Sequence, residues 1–344
     1  MATPTAATRL TPERIFNTLN AHEQTAALLT AIEFDIFTAI GAGANTATAI
    51  AAKTGAAEKG ARVLCDFMTV HGFLTKDHEG KYALTPESAF FLDRKSPACV
   101  ASMAGFLGSK QTRARFDSLT EAVRKGGSVW SEGGDNTKPN DEFWVAFARG
   151  MAPLAAPSSQ FIAALLRAEE GKPCKVLDIA AGHGMYGITV ATKNPNAEIV
   201  ALDWPNVLNV AQENAQKFGV ADRFSVRPGS AFEVEMGGGY DCVLLTNIFH
   251  HFDMPTCEKL MRRVHAALKT GGEAITLEFV PNEDRVTPPT AAAFSLIMLA
   301  NTDAGDAYTF AEYEKMFRNA GFATSTLHPV PGMPQQVIVS EKSA

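Results

Sequence analysis

Two adjacent histidines, His250 and His251, follow directly on the apolar run YDCVLLTN, and a carboxylate, Glu278, closes the next such run, EAITLEF. A histidine with an ordinary pKa of about 6.5 is mostly neutral at neutral pH and can take a proton from a reacting group. The same pair could instead ligate a metal, cap the following helix or bond within the core. Upstream, VLDIA runs into AGHGMYG, which sets Gly182, Gly184 and Gly187 in the spacing GxGxxG between an apolar run and a helical pattern. Glycines so placed let the backbone approach a nucleotide at a helix N-terminus, a device shared by several cofactor classes. Asp178, just ahead of them, would repel a pyrophosphate but suits a cationic amino group such as that of S-adenosylmethionine. Asp203 ends the next run, EIVALD, where a carboxylate can accept both ribose hydroxyls, and the Trp204 ring can lie against an adenine face.

For these groups to meet, the chain beyond Pro173 must alternate strands and helices. KVLDIA, EIVALD, RFSVRP, YDCVLLTN and EAITLEFV are the strands, with helical patterns such as Asn209 to Phe218 and Cys257 to Leu268 between them. The expected class is α/β, a Rossmann-like doubly wound sheet whose ligand groups collect at the carboxyl ends of its strands. A helix from Phe310 to Ala320 precedes TSTLHPVP and QQVIVSEK, which are close enough to pair as an antiparallel edge hairpin.

The chain up to Leu107 reads differently. Thr11 to Glu13 start a helix that continues through Ile15, Leu19, Ala26, Leu29 and Ile32. A helix, a turn at Thr54 and Gly55, and a second helix carrying Val63, Leu64, Phe67 and Met68 come next. Two short strands about a Glu79-Gly80 turn complete a mainly α winged-helix pattern. Its second helix offers Lys59 and Arg62 but also Glu58 and Asp66, so a scaffold fits better than a DNA reader. We therefore expect a winged-helix domain over 1–107, a helical connector over 108–167 and a catalytic sheet over 168–344. The Gly-rich stretch from Gly126 to Asn140 lies in the connector. The following helix carries Phe143, Trp144, Phe147 and Met151, a stripe that is either core or the roof of a pocket.

The bulk properties narrow the classes. The 344 residues carry a net charge of -6 with no basic cluster, which argues against nucleic acid as a partner. The longest apolar stretch, Ala291 to Ala300, is too short to span a bilayer, and the first ten residues lack the pattern of a signal peptide. Five scattered cysteines with no CxxC pair fit reduced thiols in a cytoplasmic protein.

Taken in order, LDIAAGHG, ALDWPNVL, PGSAF, NIFHHFD and LKTGGEAITLE resemble the nucleotide, ribose, adenine and catalytic-histidine segments of the small-molecule O-methyltransferases that use S-adenosylmethionine. These include plant caffeate and flavonoid enzymes and bacterial antibiotic and pigment enzymes. The resemblance extends over nearly the whole chain and implies a homodimer formed through the N-terminal domain, to which the apolar AALLTAI fits. It also implies S-adenosylmethionine as cofactor, held by Asp178, Gly182, Gly184, Asp203, Trp204, Gly229, Ser230, Ala231 and Phe232. His250 matches the base and Glu278 the acid that orients it. An acceptor, a small aromatic hydroxyl compound, would meet Trp144, Phe147, Met151, His251, Phe294, Met298 and Asn301.

The sequence departs from the family pattern at several positions. Ala180 and Ala181 replace glycines, and Ser230 stands where an acid near the adenine amino group is usual. A second catalytic acid is replaced by Ala307, which leaves Asp306 as a substitute. His250 and His251 could supply two ligands to a metal, but the third position, near Asn301 or Asp303, holds no histidine, so no metal is expected. Carbon or nitrogen methylation, for instance of an α-keto acid, a nicotinamide-dependent oxidoreductase and a winged-helix ligand sensor are the competing readings.

Overall fold

The computed structural model describes residues 10–130 and 141–343, in two compact units, Met1–Gly108 and Ser109–Ala344. From residue 131 on, the stretch read as a Gly-rich connector lies outside the described residues. The helices beyond it pack with the sheet of the second unit instead of forming a third body.

In the first unit, Thr46 caps the helix Ala47–Thr54 by accepting the Ala49 N–H, and Gly55 ends it in the left-handed conformation that glycine adopts without strain. The helix Glu58–Val70 follows, and then strands β1 (Leu74–Lys76) and β2 (Tyr82–Leu84) pair antiparallel as the wing. Ile36, Phe37, Ile50, Cys65, Met68, Leu74 and Tyr82 form the core. Asp66 fastens the wing to the second helix, accepting from the Tyr82 hydroxyl at 2.7 Å and Lys76 at 2.6 Å, with Arg62 at 3.0 Å. One of the two cations that a DNA-reading helix would offer, Arg62, is thereby paired with an acid of its own unit. The helix Glu13–Leu19 buries nothing, and it leaves Ile15, Phe16 and Leu19 in solvent.

The second unit is built on strands β3 (Cys174–Ile179), β4 (Ala197–Asp203), β5 (Phe224–Pro228), β6 (Tyr240–Thr246), β7 (Leu268–Glu278), β8 (Thr324–Pro329) and β9 (Gln336–Glu341). Their order is β5-β4-β3-β6-β7-β9-β8, with the first five parallel and the last two antiparallel. The tail hairpin is present, but the chain's last strand is inserted between β7 and β8, so β8 forms the edge.

Strand side chains alternate between two buried faces, which is why these runs are apolar throughout. Leu177, Val243 and Leu245 pack towards the helices Met254–Ala267 and Phe310–Asn319, while Val176, Cys242 and Leu244 pack towards Ala156–Leu165 and Met185–Lys193. The strand β7 begins at Leu268, earlier than the apolar run suggests, and its pairing with β6 shifts between Tyr240 and Cys242. The carboxyl ends of β3, β4, β6 and β7 share one edge, and with it Asp203, His250 and Glu278.

Candidate active site

The loop after β3 is held by Asp203 at the end of the neighbouring strand. Its Oδ2 accepts the Gly182 N–H at 2.8 Å, its Oδ1 accepts the Trp204 N–H at 2.7 Å, and its carbonyl accepts the Gly229 N–H at 2.9 Å. One residue thus ties the glycine loop to the two loops after β4 and β5. Its carboxyl is pushed up to about 6 by burial, against which the two N–H groups work. Ala180 sits at φ +54°, in the left-handed region that costs an alanine strain, where a glycine would have none.

Asp178 corrects an expectation. It does not line the cavity above the loop, because strand alternation turns it down against the helix Met185–Lys193. It is fully buried, its Oδ2 accepts the Gly187 N–H at 3.2 Å, and its Oδ1 has no partner among the described residues. Burial raises its carboxyl to about 7. Gly187 is required here for packing: a Cβ on it would stand 2.7 Å from Ile199 Cγ2 and 3.2 Å from Asp178 Oδ2.

The cavity has a floor of Ala180 to His183, one wall of Asp203, Trp204 and Val207, and another of Gly229, Ser230, Ala231 and Phe232. Trp144 and Phe147 reach it from the helix Glu142–Met151, and Asn247, His251 and Phe252 from the loop after β6. Met151 lies on that same helix but is not part of the lining. Ser230 is half-buried, and its hydroxyl accepts the Phe232 N–H at 3.2 Å, so it shapes its own turn as well as facing the cavity.

His250 is buried in a short turn, Phe249–His251. Its Nδ1 lies 2.6 Å from Glu278 Oε2, and Glu278 Oε1 accepts the Phe249 N–H at 2.8 Å. Because a carboxylate can only accept, Nδ1 carries a proton, and in the neutral ring this leaves the lone pair on Nε2. The Cys257 thiol donates to the Phe249 carbonyl and the Tyr308 hydroxyl to the Phe252 carbonyl, at 3.3 and 2.6 Å, which pins the turn from behind. Asn247 begins it at φ +57°, donating its N–H to the Leu277 carbonyl and accepting from Gln335 at 2.5 Å.

Asp306 does not serve the histidine. Its carboxylate pairs with Arg285 at 3.3 Å and accepts the Ala307 N–H at 2.8 Å, a local arrangement that turns it away. Gly305 instead packs its backbone onto the His250 carbonyl, where a Cβ would collide.

The helix Pro289–Asn301 brings Phe294 edge-on to His250, with ring centroids 4.9 Å apart, and Phe294 stacks on Phe279. Met298 is buried one turn further on, and Asn301 Oδ1 accepts from Arg115 at 2.7 Å. His251 faces Trp144 at 5.5 Å and His250 at 4.3 Å, and its imidazole is held well below the usual range by burial, then by His250 and Arg115. Among the described residues no group of three or more His, Cys, Asp or Glu side chains could hold a metal ion.

Four residues here escaped the sequence reading. Asn247, His183 and Tyr186 line the cavity, and Arg115 lies against Asn301. Only His183 and Tyr186 carried a signal, their place inside the glycine motif. Burial lowers the His183 imidazole to about 4, and its Nδ1 accepts the Met185 N–H at 3.1 Å, which leaves its proton on Nε2.

Comparison with known proteins identifies the family. A family model for an O-methyltransferase domain matches residues 116–323, and one for an O-methyltransferase dimerisation domain matches residues 16–94. The chain is 27% identical to the 3-hydroxy-5-methyl-1-naphthoate 3-O-methyltransferase of Streptomyces sahachiroi, over 87% of this chain and 86% of that one. It is 49% identical to a solved structure of an inferred O-methyltransferase from Nostoc punctiforme, with a TM-score of 0.92 over 97% of this chain and all of the other. The solved PigF with S-adenosylhomocysteine is 25% identical, with a TM-score of 0.83 over 97% of this chain and 100% of that chain.

Proposed function

The chain belongs to the S-adenosylmethionine-dependent O-methyltransferases, and on that premise we propose that His250 is the base that takes the proton from the hydroxyl of a small aromatic acceptor, with Glu278 holding its ring. The 2.6 Å contact between Glu278 and His250 Nδ1 carries the proposal. In the neutral ring it favours the tautomer with the lone pair on Nε2, and it steadies the imidazolium that forms when Nε2 receives the proton. A phenol, with a pKa of about 10, is a poor nucleophile until that proton leaves.

The residues fit the cofactor. The Asp203 oxygens each accept one backbone N–H, so each keeps a lone pair for a ribose hydroxyl. A Cβ on Gly182 would meet nothing closer than 3.8 Å, so the absence of one leaves the floor open to a ligand. Trp204 and the 229–232 turn give an adenine ring an aromatic face and a polar edge. When bound, S-adenosylmethionine would supply a sulfonium methyl open to in-line attack by the acceptor oxygen, with the C–S bond breaking and a neutral thioether as the leaving group. The chain's own part is to align the acceptor and remove its proton; such alignment is worth roughly 7–11 kcal/mol.

The relative from Streptomyces sahachiroi acts on a naphthoate, and an aromatic acceptor here is supported by Trp144, Phe147 and Phe294 about the site. We further propose a homodimer through the N-terminal unit, supported by the exposed Ile15, Phe16 and Leu19 and by the dimerisation-domain match. A cytoplasmic setting is supported by five unpaired cysteines, and no helix among the described residues is long and apolar enough to cross a membrane.

Calorimetric titration with S-adenosylhomocysteine, alongside NAD and NADH, tests the cofactor assignment without an acceptor. Saturable binding of the first and silence of the other two are expected; the reverse would overturn it. His250→Ala should bind the product equally well while losing about 10²–10⁴-fold in turnover. Wild-type turnover in that variant would remove His250 as the base. Light scattering at micromolar concentration should give a dimer, and a monomer there would refute the assembly.

A further inference from the structure

On the acceptor side of the site stands a cation with no acid paired to it among the described residues. Arg115, on the helix Lys110–Asp117, is half-buried. Its Nη1 donates to Asn301 Oδ1 at 2.7 Å, and its guanidinium carbon lies 4.9 Å from the centre of the Phe143 ring. Among the described residues no carboxylate is close enough to pair with it. Asp141 acts on it only at longer range, and that side chain accepts the Phe143 N–H at 2.9 Å; Asp303 is paired with Lys125. Burial disfavours the charge of Arg115, yet a guanidinium stays protonated. A carboxamide oxygen and a ring face are weak compensation for the water such a group gives up.

Its surroundings join this cation to the reacting centre. It bears electrostatically on His251, which lines the cofactor cavity and sits 4.3 Å from the His250 ring. His251 Nδ1 is itself buried without a partner among the described residues. Asn301 follows Phe294 by seven residues, so the two share a helix face about 10 Å apart along the axis. Phe294 touches the base at one end, and Asn301 touches the cation at the other.

We infer that the acceptor is an aromatic hydroxy acid of one or two rings, whose carboxylate is bound by Arg115 beside Asn301 while its hydroxyl meets His250. The inference rests on the O-methyltransferase reading and narrows it. A guanidinium offers a planar fork of donors that matches a carboxylate with two parallel hydrogen bonds. The anion would supply the counter-charge that no described residue provides, so the acid form gains what a neutral phenol of the same shape cannot. Arg115 is in this view a specificity residue, and the reaction that supplies the substrate must leave an aryl carboxylate unesterified.

The test compares acids with their own amides. With the protein saturated in S-adenosylhomocysteine, para-hydroxybenzoate and a hydroxynaphthoate are titrated calorimetrically against the corresponding carboxamides. At least one acid should bind about 10- to 100-fold more tightly than its amide, the ratio expected for hydrogen bonds to a charged group. Arg115→Met should abolish that ratio by weakening the acid alone, and Arg115→Lys should keep part of it. Amides that bind as well as acids in both series would overturn the inference, as would an Arg115→Met variant that loses both alike while S-adenosylhomocysteine affinity is intact. Should Arg115→Met fail to fold, the wild-type ratio and Arg115→Lys still decide. Methylation of neutral phenols by a wild-type protein that shows no acid preference would sink this inference alone, whereas failure to bind S-adenosylhomocysteine would sink the reading beneath it.

Discussion

Glu278 holds His250 and the turn that carries it with one carboxylate: Oε2 lies 2.6 Å from the ring Nδ1, and Oε1 accepts the Phe249 N–H at 2.8 Å. Both oxygens are thus committed, Glu278 is fully buried, and the imidazole has little freedom to tilt or to change tautomer.

Glu278→Gln keeps the shape but offers an amide N–H₂ or C=O where the ring needs a strong acceptor. If the amide nitrogen faces Nδ1, the ring proton moves to Nε2 and the base is lost. Turnover should fall by about 10³–10⁴-fold, as when the orienting acid of a histidine is replaced by its amide. Affinity for S-adenosylhomocysteine should not change. Steady-state kinetics with calorimetry checks both, and an unaltered kcat would show that the ring needs no such partner.

Asp203→Ala removes two functions together. The side chain accepts the N–H groups of Gly182 and Trp204, and it presents its remaining lone pairs to a ribose. Cofactor-product affinity should weaken by about 1.5–3 kcal/mol, the range for a hydrogen bond involving a charged group. Unchanged affinity by titration would move the ribose site elsewhere.

Much of this site was legible because its residues sit at strand ends, where alternating pattern and motif spacing place them. Asp203, His250 and Glu278 end or follow β4, β6 and β7, and that edge was predictable from the order of strands alone. Asp178 was misjudged for the same periodicity read one step short: being at a strand end says nothing about which face the side chain takes. Asp306 was misjudged because its partner, Arg285, is twenty-one residues away in sequence and carries no motif. Arg115 is a tertiary fact altogether, since the helix that bears it meets Asn301 only in the fold, 186 positions later.

Ala180 stands in the left-handed region at φ +54°, where an L-residue with a Cβ costs about 1–2 kcal/mol. Ala180→Gly relieves that strain but loosens the unfolded chain, at a cost of about 0.4–1 kcal/mol. The net expectation is a gain of between zero and about 1.6 kcal/mol in unfolding free energy. Denaturant titration with an unchanged m-value measures it, and a loss of stability would mean that the methyl group makes packing contacts worth more than the strain.

Asp178 and Asp203 each give stability a pH-dependent contribution of known sign. Burial raises the Asp178 carboxyl from 3.8 to about 7 and that of Asp203 from 3.8 to about 6. Between those values the folded chain retains protons that the unfolded chain has lost. Their contribution to stability is therefore full below about pH 4 and is lost as the pH rises through 6 and 7, at most about 1.4 kcal/mol per pH unit for each group. Above pH 6 most of the remaining fall belongs to Asp178, since Asp203 has by then lost about half of its proton. Asp178→Asn removes it while leaving an oxygen for the Gly187 N–H, and its amide can turn donors towards the side of the unpartnered Oδ1. Cofactor-free wild type should lose stability between pH 6 and 7.5 relative to the variant, followed by denaturant midpoints across that range. Parallel curves for the two proteins would mean that Asp178 is ionised in the fold already at pH 6 and that its buried oxygen is solvated.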